Sequence, residues 1–153
     1  MNKIESAFDL NFRKADKHKT RIEIVSKKII GFMPLDENTI VNLTDEQIEK
    51  LDQFLLRFSS LQDILGRNLF KLSLMRLGED VAQKSFIDVF NRLEQLGIIK
   101  NYELWSELRT IRNEVAHDYE DSPKHNAEKL NGMFAKRYEL LQYFYDIKNY
   151  FGL

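Results

Sequence analysis

The chain has 153 residues, 43% of them apolar and 31% charged, the size and composition of one folded domain rather than of a disordered segment. It has no cysteine, which excludes disulfides, thiolate nucleophiles and cysteine-containing zinc sites. A formal net charge of −1 provides no overall basic footprint for nucleic acid. The opening Met1-Asn2-Lys3-Ile4-Glu5 is too polar for a cleavable signal, and no apolar run nears the roughly 20 residues that span a bilayer. The expectation is a cytoplasmic protein without a membrane segment.

Apolar periodicity is helical almost throughout, and two Pro and six Gly are all that interrupt it. A first helix is predicted over about Ile4 to Ile30, with Ile4, Phe8, Phe12, Ile22, Val25 and Ile29 as core residues. It carries a basic stretch: Arg13, Lys14, Lys17, Lys19, Arg21, Lys27 and Lys28 stand against Asp16 and Glu23. That local excess of +5 leaves −6 for the remainder. Such a run is commonly a solvated helix face; its functional reading is a phosphate-attracting arm, with Lys14, Lys17, Lys19 and Arg21 as RNA contacts.

Residues 31–43, with Pro34, read as a long connection, extended, folded over the bundle as a lid, or simply packing Phe32 and Met33. Asn42-Leu43-Thr44 matches a glycosylation sequon, but Thr44-Asp45-Glu46-Gln47 is also a capping box, so Thr44 is expected to start a helix. Ile48, Leu51, Leu55, Phe58, Leu65, Leu69 and Leu72 follow at helical spacing. Gly66 inside that run costs about 1 kcal/mol relative to Ala, which points to a bend or a close helix contact. Gly78 suits a left-handed stop. Ser85 and Asp88 start a helix from Phe86 to about Leu96, and Gly97 ends it.

A further helix is predicted over Tyr102 to Ala116, and a last one from Ser122-Pro123 to the end. The result is an all-α fold, an up-and-down bundle of four or five helices. The whole of 1–153 reads as one domain, with the first helix and connection over 1–43 and the bundle over 44–153.

Arg112-Asn113-Glu114-Val115-Ala116-His117-Asp118-Tyr119 closes the fourth helix. With nine Arg, three His and six Tyr in the chain, an Arg-x4-His pair arises by chance about 0.2 times, and with the Tyr about 0.007 times. At about 100° per residue, Leu104, Leu108, Ile111 and Val115 share a stripe about 60° wide. Asn113, His117 and Arg109 lie on the opposite side, and Arg112 flanks the stripe by about 70°. No acid stands three or four residues from Arg112 on its own helix, so an ion-pair partner has to come from elsewhere.

Arg112, Asn113 and His117 in the fourth helix of a small bundle resemble the HEPN domain, whose signature is Arg, a polar residue often Asn, three variable residues and His. Tyr119, two residues on, resembles the HepT-type toxins that are encoded beside a minimal nucleotidyltransferase (MNT) antitoxin. The resemblance spans roughly 46–150 and is specific over 112–119. It implies a homodimer whose motif helices face each other across one groove, and a metal-independent endoribonuclease acting on tRNA or mRNA. It further implies a partner nucleotidyltransferase that adds AMP to Tyr119. No cofactor and no metal are implied.

The residue types suit that chemistry. A ribose 2′-OH can attack its own 3′ phosphodiester, so no outside nucleophile is required. His117 would move the proton, since an imidazole titrates at about 6.5. Arg112 would hold the phosphate and stabilise its developing charge, and Asn113 would orient the phosphate or the imidazole. Asp118, Glu120 and Asp121 are awkward neighbours for an RNA binder. No phosphate-binding glycine loop competes with this reading, and His18 and His125 read as surface residues. The rival reading is a non-catalytic helical partner, or nucleotide-binding subunit, of a nucleotidyltransferase.

Overall fold

The computed structural model describes residues 2–116 and 122–153. Among them the chain is all-helical: α1 Lys3–Ile29, α2 Glu37–Val41, α3 Asp45–Ile64, α4 Phe70–Arg76, α5 Phe86–Gln95, α6 Tyr102–Ala116, α7 Pro123–Ala135 and α8 Arg137–Phe151. Six of these have ten residues or more, and they enclose one continuous apolar core.

Asn2 starts α1 by accepting a bond from the Glu5 N–H at 2.8 Å. Phe8, Ala15, Ile22, Val25 and Ile29 recur at three-, four- and seven-residue steps and are fully buried against α3 and α4. Ile4 and Phe12 are half-buried at the edge. Through the charged middle the helix is unbroken, and buried Ala15 keeps the apolar stripe continuous.

The 31–43 connection is not extended. Residues 30–32 form a 3-10 turn, and Asp36 then starts α2 by accepting from the N–H groups of Asn38 and Thr39. Five residues are too few for periodicity to reveal a helix. Leu35 is buried, and its N–H donates to Asn131 Oδ1 at 2.7 Å while its carbonyl accepts from Asn131 Nδ2 at 2.8 Å. One α7 amide thus fastens the segment to the bundle.

Thr44 and Gln47 make the expected reciprocal cap of α3. Ile48 is 42% exposed rather than in the core, while Leu51, Phe58, Leu65 and Leu69 are buried as expected and Phe54 and Leu61 join them. Between α3 and α4 the chain makes a π-turn over Leu65–Leu69, with the Phe70 N–H bonded to the Leu65 carbonyl five residues back. Inside that turn, a Cβ on Gly66 would sit 2.9 Å from Cζ2 of Trp105. The indole presses directly on the helix backbone.

Gly78 takes a φ of 85°, and the Glu79 N–H closes the end of α4 on the Leu74 carbonyl. Glu79 then forks onto Arg92 of α5 at 2.8–3.0 Å. The predicted last helix is two. It breaks at Lys136, after which Arg137 is buried, lies 3.7 Å over the Phe134 ring and donates to the Phe134 carbonyl at 2.7 Å. That guanidinium caps the end of α7 from inside, which local pattern does not reveal.

The start of α6 is held from two sides. Asn101, at a φ of 72°, accepts from the Leu104 N–H at 3.0 Å, and its carbonyl accepts from the Tyr143 hydroxyl at 2.8 Å. Burial pushes the Tyr143 phenol well above its ordinary pKa, so it stays a donor. Trp105, Phe70 and Phe90 surround it with centroids at 5.1–6.3 Å.

Candidate functional site

On α6, Trp105 and Leu108 are buried, while Leu104, Ile111 and Val115 are half-buried against the core. The deepest contact therefore sits at the first half of the helix. Arg109 and Asn113 are exposed on the other side, and Arg112 is half-buried and turned toward α3. There it meets the acid that its own helix lacks. Arg112 Nη2 lies 3.0 Å from Asp63 Oδ2, with the two side chains 29% and 34% exposed.

These residues line a half-open pocket of about 200 Å³. Gln62 and Asp63 of α3 form one wall, Gly66 and Arg67 of the π-turn another, and Arg109, Arg112 and Asn113 of α6 the third. Phe86 and Trp105 make the floor, with ring planes 24° apart. The Arg109 guanidinium lies 5.6 Å over Phe86. Three guanidiniums face one carboxylate, so the site is cationic in a chain whose net charge is −1. Gln62 is 3% exposed, yet neither its Oε1 nor its Nε2 has a hydrogen-bond partner among the described residues, and the same holds for Trp105 Nε1. Gly66 and Arg67 bring the π-turn, an element that recurs at functional sites, to the wall of this pocket.

Arg112, Asn113 and Arg109 thus come together at one place. His117 and Tyr119 lie outside the described residues. The basic stretch does not join them. Lys14, Lys17 and Arg21 are exposed on α1, and none lines the pocket. Lys19 is not a free cation on that surface. Its side chain is 12% exposed, between Asp16 at 3.2 Å and Glu23 at 3.5 Å, with its Nζ 5.6 Å from the Phe144 and Tyr145 rings. Burial pulls its pKa down, but Asp16, Tyr145 and Glu23 together outweigh this and raise it.

His125 is exposed as expected, whereas His18 is half-buried and accepts from Arg57 Nη1 at 3.0 Å. Burial first, then the Arg57 and Lys17 charges, hold its pKa below the ordinary imidazole value. Among the described residues no group of three His, Asp or Glu side chains is placed to hold a metal ion, and no helix is long and apolar enough to cross a membrane.

Gln62, Asp63 and Arg67 had no place in the sequence reading, whereas Gly66 makes the close helix contact that its position inside the helical run predicted. A signal existed. Gln62 stands four residues after Phe58 and three before Leu65, a polar residue on the apolar stripe. No family model matches the sequence, and no curated protein or solved structure is significantly similar to it.

Proposed function

We propose that the protein is a metal-independent endoribonuclease of the HEPN type, a toxin that cleaves tRNA or mRNA and is neutralised when a partner minimal nucleotidyltransferase adds AMP to Tyr119. The observation that supports it is the placement of Arg112, beside the core stripe of α6, and of Asn113, on its exposed side, on the wall of one cationic pocket.

Arg112 uses Nη2 for Asp63, and its other guanidinium nitrogens take no further partner among the described residues. They suit a phosphodiester oxygen, and Arg109 adds a second cation one turn away. Charge building on the non-bridging phosphate oxygens during 2′-OH attack is then met by donors already in place. His117 supplies the proton transfer, and a second copy of the chain brings its own Arg112 and His117 to the same groove. Products are a 2′,3′-cyclic phosphate and a 5′-hydroxyl.

The Arg112–Asp63 pair also supports a second reading, in which Arg112 is structural and the protein is a non-catalytic partner of a nucleotidyltransferase. Incubation with total RNA in a chelator separates the two. Wild type should release fragments bearing 5′-hydroxyl ends, and neither His117→Ala nor Arg112→Ala should do so. RNA left intact by the wild type, or cut equally by all three proteins, eliminates the nuclease reading.

A further inference from the structure

We infer that the outer edge of α1 beside α3 is a track for the phosphate backbone of a single RNA strand, held by Lys14, Lys17, Arg21 and Lys28 of α1 and Arg57 of α3. The track takes phosphates and reads no bases. That the strand is RNA rests on the proposed function, whereas the residues are separate from those of the α3–α6 pocket.

Folding separates charges that are mixed along the chain. At about 100° per residue, Lys14, Lys17, Arg21 and Lys28 fall within about 60° of the helix circumference, and all are exposed. The acids of α1, which are Glu5, Asp9, Asp16 and Glu23, fall within about 40° on an edge centred about 135° away. That acidic edge turns to α8, where Glu23 accepts from the Tyr145 hydroxyl and, with Asp16, holds Lys19. The cationic edge borders α3. Beside it, Asn11 Oδ1 accepts from Asn68 Nδ2 at 2.8 Å, and His18 accepts from Arg57 Nη1 at 3.0 Å. The row from Lys14 to Lys28 is about 21 Å long at about 1.5 Å per residue. None of its four cations forms an ion pair with a described residue.

Arg57 adds a half-buried guanidinium to the same seam. Among the described residues its one hydrogen bond is to the His18 imidazole, and it has no carboxylate partner. His18 senses cations alone: burial, then Arg57 and Lys17, hold its pKa down, and no acid offsets them. Like charges gathered without a counter-charge repel, and a bound anion relieves that cost. The chemistry of the row selects the anion. Residues 13–28 contain no aromatic residue, so they provide no platform on which bases stack. Their apolar residues are buried except Ile24, which leaves no apolar face to enter a bilayer. Protein interfaces are poor in Lys and anchored by aromatic residues, the reverse of this edge. A single file of Lys and Arg suits phosphates, which carry charge and no sequence.

Fluorescence anisotropy of labelled oligouridylate and oligoadenylate, each of about 12 nucleotides, measures binding to the full chain carrying His117→Ala. Adding Lys14→Ala, Lys17→Ala and Arg21→Ala together should make the slope of log K against log salt shallower by about 2, at about 0.7 per phosphate of a single strand. At 0.1 M salt that is about a hundredfold loss, by the same factor for both oligonucleotides. Arg57→Gln should weaken both about fivefold. Glu5→Gln with Asp9→Asn raises the net charge on the other edge, and should change affinity less than about twofold.

Circular dichroism of each variant verifies that the helices persist. A loss under about twofold in the folded triple variant, or one confined to a single oligonucleotide, overturns the inference. Displacement of the oligonucleotides by poly-glutamate at equal charge also overturns it, and assigns the row to an acidic protein. Strand binding that the triple variant loses, in a chain that never cleaves RNA, leaves the track standing and removes the nuclease reading. Cleavage by the triple variant with His117 intact and KM unchanged does the reverse.

Discussion

Lys19 on α1 and Arg112 on α6 carry the same charge on amphipathic helices, and their surroundings differ in one respect. Lys19 is enclosed, with two carboxylates at 3.2 and 3.5 Å and two aromatic rings at its ammonium. Arg112 has one carboxylate on one nitrogen and opens onto a cavity beside two other guanidiniums and an unpartnered buried amide. The α1 stretch has the higher charge density in sequence, yet its local acids neutralise part of it. Charge density is thus a poor guide to a site. Concavity with polar groups left incompletely satisfied is a better one, because it is where a ligand adds contacts that the protein lacks.

The largest expected effect tests whether the pocket floor is part of the core. Trp105→Ala removes a fully buried indole and should lower unfolding free energy by about 3–5 kcal/mol, read from urea denaturation. Lys19→Ala, at the satisfied face, should cost less than that, since its partners Asp16 and Glu23 remain in contact with solvent. A Trp105 variant as stable as wild type would mean that the floor is not held by that ring.

The second test exchanges stability for chemistry. Arg112→Ala should lower the RNA cleavage rate by about 10²–10³-fold, the size of one lost transition-state donor, and alter stability by no more than about 1 kcal/mol. Neutralising Lys14, Lys17 and Arg21 together should leave the rate at saturating RNA unchanged and only flatten its salt dependence. Reversed outcomes would move the functional face to α1.

Gly66→Ala is a smaller perturbation. Overpacking against Trp105 is worth about 1–3 kcal/mol and the helix-propensity gain about 1 kcal/mol, so a net loss of up to about 2 kcal/mol is expected in thermal unfolding. A stabilised variant would show that the indole yields.

The smallest effect is a pH dependence at the satisfied face. The folded His18 pKa lies below the unfolded value, so the unfolded chain binds more protons in the window beneath about 6.5. Its contribution is fully present above that value and is lost as pH falls through the folded pKa. Melting temperatures from pH 7.5 to 5 should fall in wild type and fall less steeply in His18→Gln. Parallel curves would assign the acid sensitivity to other groups.

Helix boundaries were legible because their determinants lie within four residues of one another. Thr44 with Gln47, Ser85 with the Asp88 N–H, and Ser122 before Pro123 all cap where their pattern predicts, and Gly78 ends its helix in the left-handed region. Helical projection likewise placed Arg109 and Asn113 on the exposed side of α6. Only packing decided that Asp63 meets Arg112 from 49 positions away, that Asn131 pins Leu35 from 96, and that Arg137 interrupts the last helix. Caps and periodicity are properties of one turn of chain and can be read along it. A pocket arises where side chains from separate helices converge, and that depends on how Trp105, lying against Gly66, sets the distance between two of them.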